Sequence, residues 1–423
     1  MGGFDCRGVR GEFPEFSRGV IYLDNAASTL KPRRVVEAMR EFMYVSYANV
    51  HRGLHTLSME ASKAYEDAHE TVAKFVGGSW DEVVFLRNST EAMQTAALLA
   101  VFNGLLGPGD EVLLTEAEHH STLLPWVRAA RLVGARVRLL PVGPDGVPLW
   151  GRLEEYLGER TRVVAFHHVS NVTGAVAPVE EVARKARGAG ALVVLDAAQS
   201  VPHMPVDFRR LGVDMAVFSG HKMLGPTGIG VLWGRRELLE KLEPPLAGGG
   251  TVKRVRLVEG EVRAEWDVTP WKFEAGTPPI VEAVGLAEAV LMLSDIGMER
   301  VRSHEEELTS KALRELTRLE EEGLLRIVGP KKTPERHGIV SFYSPRRNPD
   351  EIGLLLDRRR IAVRTGLHCA HILHDRVGAP MGTVRASFYI YNCPEDVDAL
   401  ARAVEEILRK PQKTPRKAAE PSP

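Results

Sequence analysis

In the stretch VFSGHKMLGPTGIG, residues 217–230, an apolar strand runs into Ser219, Gly220, His221 and Lys222, then into a loop holding Gly225, Pro226, Gly228 and Gly230. A hydroxyl, an imidazole and an amine at a strand end read as the carboxyl edge of an open α/β sheet, where ligands bind. Ser219 and His221 can hold a phosphate, and the glycines permit close approach of backbone to a ligand. An amine so placed can form a Schiff base with an aldehyde cofactor. A solvated surface charge is the ordinary alternative for a single lysine, so the rest of the chain has to decide.

The flanking sequence repeats the strand pattern. EVVFL, DEVLLT, ARVRLLPV, RVVAFHHV, ALVVLDAAQ, DMAVFSG and GIGVLWG are short apolar runs that alternate with amphipathic helical segments. Runs this apolar fit strands covered on both faces, and their alternation with helices predicts a doubly wound, mostly parallel sheet. Helical spacing also predicts helices over about 33–47 and 58–76. From about residue 282 the pattern changes: helices over 282–295 and 298–323, strands in LRIVG and GIVSFY, a helix in PDEIGLLLDRRR, strands at 361–364 and 384–391, and a helix over 395–409. This reads as a smaller α+β unit. The expected organisation is an N-terminal segment (1–32) packing with the small domain, a large domain (33–290), a small C-terminal domain (291–409) and a disordered tail (410–423).

A chain of 423 residues exceeds what one hydrophobic core usually supports. With 44% hydrophobic and 26% charged residues it has the composition of an ordinary globular protein. A formal net charge of −1 gives no electrostatic reason to expect nucleic acid or an anionic membrane as partner. No apolar run approaches the roughly 20 residues that cross a bilayer, and the N-terminus lacks the apolar core of a secretory signal. Cys6, Cys369 and Cys393 are too few for a disulfide framework, so the expectation is a cytoplasmic protein with free thiols.

Three further stretches carry chemistry. In LDAAQS, Asp196 follows an apolar strand, and a carboxylate at that depth needs a positive partner or a capping role. The protonated ring nitrogen of pyridoxal phosphate (PLP) is such a partner, and Gln199 lies within reach of the ring hydroxyl. In FLRNSTEA, Ser89 and Thr90 open a helix whose N-terminus can bind phosphate; neither a Walker A nor a GxGxxG pattern favours a nucleotide. In RTGLHCAHI, residues 364–372, Cys369 stands between two histidines and reads equally as metal ligand, redox thiol, packing residue or nucleophile. The absence of a paired Cys-x-x-Cys speaks against metal, and no metal site is expected.

The segments YLDNAAS, NVHRGLHTLS, STEA, EHHSTLLPW, SNVTG, LDAAQS, FSGHKMLGPTGIG, FEAGTP, RTGLHCA and VRASFYIYN, in this order and spacing, make the chain resemble the group II (SufS/CsdA-like) cysteine desulfurases. These belong to the class V aminotransferases, fold-type I PLP enzymes, and the likeness spans about residues 20–408. It implies that Lys222 carries PLP and acts as the proton-transfer base. Asp196 would pair with the ring nitrogen, Gln199 with the ring hydroxyl, and His119 would stack on the ring and assist proton transfer. Ser89, Thr90, Ser219 and His221 would cradle the phosphate, with Thr277 reaching the cofactor of the other subunit of a homodimer. Asn171 would lie near ring and substrate, and Arg364 and Arg385 would clamp the carboxylate of L-cysteine. Cys369 would take the sulfur as a persulfide, its thiol pKa lowered by His368 and the arginines, and pass it to an acceptor protein of iron–sulfur cluster assembly. A selenocysteine lyase on the same scaffold is the alternative. The chain departs from the pattern at Asn88 and Ser89, where Gly and Thr are commoner, and at Leu367, where many relatives have a second histidine. Residues 251–270 read as a charged hairpin with no assigned role.

Overall fold

The computed structural model describes residues 4–410; the tail expected to be disordered lies, from 411 on, outside the described residues. Seven strands form the large sheet: β1 Val83–Leu86, β2 Glu111–Thr115, β3 Arg136–Leu140, β4 Thr161–His167, β5 Leu192–Asp196, β6 Met215–Ser219 and β7 Gly230–Gly234. Their order is β1-β7-β6-β5-β4-β2-β3. β7 pairs antiparallel with both neighbours, and the remaining pairs are parallel. The doubly wound, mostly parallel sheet read from the sequence is therefore borne out. Val83, Phe85, Phe166 and Phe218 face one core, whereas Val84, Leu86, Ala165 and Val217 face another. That two-residue alternation between two buried faces is why these strands show no polar side in the sequence.

Helices α1 Arg33–Val45, α2 Thr56–Phe75, α3 Ser89–Phe102, α4 His120–Val133 and α5 Val179–Gly188 belong to this unit. Their ends obey local rules: Asn88 caps α3 by accepting from Glu91 N–H at 3.0 Å, and Gly134 closes α4 in the left-handed conformation. The charged hairpin is present as β8 Val252–Val258 and β9 Glu261–Trp266. Helix α6 Ile280–Ile296 packs on α1 and α2.

The smaller unit holds α7 Met298–Glu321, β10 Arg326–Val328, β11 Ile339–Tyr343, α8 Pro349–Asp357, β12 Arg364–Gly366, α9 His371–Arg376, β13 Thr383–Ser387 and α10 Pro394–Arg409. Its sheet is antiparallel in the order β10-β11-β13-β12, and Leu308, Phe342, Val384 and Leu400 share its core. The N-terminal segment joins this unit: Ile21–Tyr22 pairs in parallel with Ile361–Ala362, and Leu23 is buried in the same core.

One expectation fails here. Cys6 and Cys393 form a disulfide across 387 residues of sequence, and of the three cysteines Cys369 alone is free. Cysteine count and spacing carry no information about this pair, because the fold returns the C-terminal helix to the start of the chain. Arg10 completes the junction by bonding the Tyr391 carbonyl and the Asp396 carboxylate.

Candidate active site at the carboxyl edge of the sheet

Lys222 stands one turn past the end of β6, in a short 3-10 turn, and opens into a cavity of about 560 Å³. Most of the residues expected at the site line that cavity. Ser89 and Thr90 come from the N-terminus of α3, His119 caps α4, and Asn171 follows β4. Ser219 and His221 flank the lysine, while Arg364, Cys369 and Arg385 come from the small unit. Asp196 and Gln199 are buried at the carboxyl end of β5, the neighbour of β6. Thr277 is elsewhere: it lines a second cavity with His51, Arg52 and Asp267.

The lysine is half-buried in the cavity wall, and desolvation, with repulsion from Arg385, pushes its pKa down to about 8 against the pull of Asp196 and Cys369. His119 falls to about 4, through burial first and then the Lys222 charge. Its Nδ1 accepts from Ser121 N–H at 3.0 Å, so the neutral ring carries its proton on Nε2. His221 also falls to about 4 by burial and the Lys222 charge. Both imidazoles are neutral donors at physiological pH.

The donor set fits PLP. Asp196 is held by Thr122 Oγ1 at 2.7 Å and by Ala198 N–H at 3.0 Å, which fixes a carboxylate inside the sheet edge. Gln199 donates to the Ala26 carbonyl at 2.7 Å, leaving its Oε1 buried with no hydrogen-bond partner; an unmatched acceptor of this kind suits a ring hydroxyl. Asn88, Ser89 and Thr90 open a helix, and Ser219 Oγ already accepts from Ser89 N–H at 2.9 Å. Gly230 permits this approach, because a Cβ there would lie 2.4 Å from the Asn88 backbone.

The cysteine loop is held in an unusual conformation. His368 and Cys369 have φ values of 46° and 56°, the left-handed region that non-glycine residues avoid. Three anchors hold it there: Asn171 Nδ2 donates to His368 O at 2.8 Å, His120 N–H donates to Cys369 O at 2.8 Å, and His368 Nε2 meets Thr383 Oγ1 at 2.9 Å. The thiol itself is exposed. Burial and the Arg385 charge push His368 down to about 2, so its ring is neutral. Lys222 and Arg385 are the cations whose own pKa values respond to the Cys369 charge.

Arg385 is buried, donates to Asn171 O at 2.9 Å and keeps Nε without a partner. Arg364 makes a two-pronged pair with Asp24, at 3.2 and 2.6 Å, and Arg385 Nη2 is 3.8 Å from the same carboxylate. Two guanidiniums and one carboxylate leave one net positive charge, a match for one substrate carboxylate. The sequence reading gave Asp24 no role. The signal was present, since Asp24 follows the apolar run VIYL as Asp196 follows LVVL. The same segment donates to the carbonyl of His221 through Ser28, Thr29 and Lys31.

This arrangement, a lysine and an aspartate on adjacent strand ends facing two arginines from a second unit, defines a class. The aminotransferase class-V family model matches residues 21–400, and the chain belongs to that family. Its relatives narrow the class. A probable cysteine desulfurase of Aeropyrum pernix is 71% identical over 405 residues, 96% of this chain and 98% of that one. The apo structure of a cysteine desulfurase from Thermococcus onnurineus superposes with a TM-score of 0.89 at 38% identity, covering 97% of this chain and 99% of that one. The Escherichia coli cysteine desulfurase CsdA, solved with an S-sulfonic acid, gives 0.86 at 35% identity over 96% and 99%.

Proposed function

We propose that this protein is a PLP-dependent cysteine desulfurase that converts L-cysteine to L-alanine and keeps the sulfur as a persulfide on Cys369. The observation that carries the reading is the exposed Cys369 thiol at the rim of the cavity that Lys222 lines. When bound, PLP supplies an electron sink for charge developing at the substrate Cα.

The chain's own residues do the rest. Arg385, with its free Nε, and Arg364 take the substrate carboxylate in a geometry that fixes the Cα–H bond. Lys222 Nζ, held near neutrality, accepts the Cα proton and later returns one to the product. His119 offers Nε2–H as a donor, and Asp196 supplies the fixed negative charge opposite. The Cys369 thiolate attacks the substrate sulfur: an S–S bond forms, the Cβ–S bond breaks, and its electron pair stays on carbon, which is protonated to the alanine methyl. The two sulfurs are oxidised together by two electrons as that carbon is reduced, so no outside oxidant is needed. The product is Cys369–S–SH plus alanine.

The exposed loop suits hand-over to an acceptor protein, which we place in iron–sulfur cluster assembly. A homodimer accounts for two features of the single chain: the exposed apolar set Tyr44, Tyr47, Leu54 and Leu57, and the position of Thr277 in a separate cavity. In this reading Thr277 completes the partner subunit's cofactor site.

The test supplies L-cysteine to PLP-loaded wild type, Cys369→Ser and Lys222→Ala and measures alanine. Wild type produces it, and both variants lose at least about a thousandfold in rate. Full alanine production by Cys369→Ser contradicts the persulfide reading.

A further inference from the structure

The carbonyl oxygen of His221 belongs to the peptide bond that leads into Lys222. The 3-10 turn Gly220–Lys222 uses the Gly220 carbonyl, which accepts from Met223 and Gly225, and gives the His221 carbonyl no partner of its own. A backbone carbonyl is an obligatory acceptor. Four donors from the segment before α1 converge on it: Thr29 N–H at 3.1 Å, Ser28 Oγ at 3.1 Å, Thr29 Oγ1 at 3.2 Å and Lys31 Nζ at 2.8 Å. A carbonyl has two lone pairs, so the shortest of the four contacts, that of Lys31, dominates. Thr29 Oγ1 also accepts from Leu224 N–H at 2.9 Å, and Leu224 holds a left-handed φ of 68° that a leucine adopts only when its surroundings impose it. The whole turn from 220 to 224 is thus braced from the N-terminal segment.

Lys31 is the one amine of the brace, and its Nζ also reaches Thr29 Oγ1 at 3.4 Å. Burial pushes its pKa down to about 7, opposed by Glu15, which makes no direct bond to it and whose Oε2 is buried without a partner. The Lys31 contact is with the backbone of the turn rather than with the cavity, and Lys31 is absent from the cavity lining.

We infer that Lys31 is a positioning residue for Lys222: its Nζ grips the His221 carbonyl and so fixes the turn that aims the Lys222 amine into the cavity. The inference rests on the desulfurase reading, in which that amine bonds the cofactor and carries the Cα proton. Relaxation of the turn misplaces the amine without touching Arg364, Arg385 or the phosphate-binding helix start at Ser89 and Thr90.

Stripped of cofactor, wild type, Lys31→Met, Lys31→Gln and Lys31→Arg are mixed separately with pyridoxal phosphate and with pyridoxal, and covalent uptake is followed by absorbance. Lys31→Met slows uptake of both aldehydes alike, by about tenfold, the scale of a sub-ångström to ångström misplacement. Lys31→Arg restores most of the rate. Lys31→Gln, which keeps a donor and drops the charge, gives a smaller slowing and serves where the methionine variant does not fold. In turnover, Lys31→Met lowers kcat with KM unchanged and raises the isotope effect from Cα-deuterated cysteine. Unchanged uptake overturns the inference, and a loss confined to pyridoxal phosphate overturns it in favour of a phosphate ligand. Lys222→Ala separates the two claims: if it still makes alanine the desulfurase reading falls, whereas an inactive Lys222→Ala beside a wild-type-like Lys31→Met sinks only the role of Lys31.

Discussion

A lysine that attacks an aldehyde has to be neutral, and Lys222 reaches that state by burial. The sign follows from its shift: below about 8 the amine is protonated and inert, above it the amine is free. Covalent uptake of PLP by the cofactor-free protein therefore rises from pH 6 and levels off beyond pH 8 to 9; a rate flat across that range contradicts the placement of the amine. The arginines give a second residue-scale prediction. Arg385 is buried and uses Nη1 on Asn171, leaving Nε without a partner. Arg385→Lys removes the planar fork and raises KM for L-cysteine at least about tenfold, with a smaller change in kcat. Steady-state kinetics checks the split. At this scale a polar residue ending an apolar run was the useful signal, read at Asp196 and passed over at Asp24. The sequence was silent on tautomers and charge states. The neutral ring of His368 depends on its enclosure beside Arg385, which no spacing in RTGLHCAHI encodes.

Among the elements, the central strands of the large sheet were readable because both of their faces are buried, so hydrophobicity alone marks them. Their junctions were less so. β7 opens with Gly230, and only the structure shows why: the Asn88 backbone occupies the space a side chain would need. Gly230→Ala pushes the N-terminus of α3 away from β7 and costs about 1–3 kcal/mol. A lowered Tm together with weaker PLP binding is expected; unchanged PLP affinity contradicts the phosphate cradle drawn from Ser89 and Ser219. The cysteine loop is the other case. Nothing in its sequence announces two successive left-handed residues, since neither is glycine. The conformation is imposed by Asn171, His120 and Thr383, three partners from distant parts of the chain.

For the whole molecule, the segment from residue 4 to 31 is a strap between the two units. Its start is bonded through Cys6 to Cys393, its middle pairs with Ile361–Ala362, and its end meets Gln199 and His221. The sequence reading expected the N-terminal segment to pack with the small unit; it did not show the disulfide or the contacts with Gln199 and His221, because long-range closure leaves no local trace. Replacing Cys6 by Ala opens a closure of several hundred residues and removes about 2–5 kcal/mol. Calorimetry should show a lower Tm for the variant and no further change with reductant; equal Tm values for wild type and variant contradict the staple. The site stands where the strap, the large sheet and the small unit meet, so its chemistry depends on all three. The central claim is that the substrate's sulfur passes to Cys369. Mass spectrometry of the peptide containing Cys369, after one turnover with L-cysteine and no acceptor, should find that peptide heavier by one sulfur atom, in step with the alanine released. Alanine released with the sulfur free in solution, or on another residue, would contradict it.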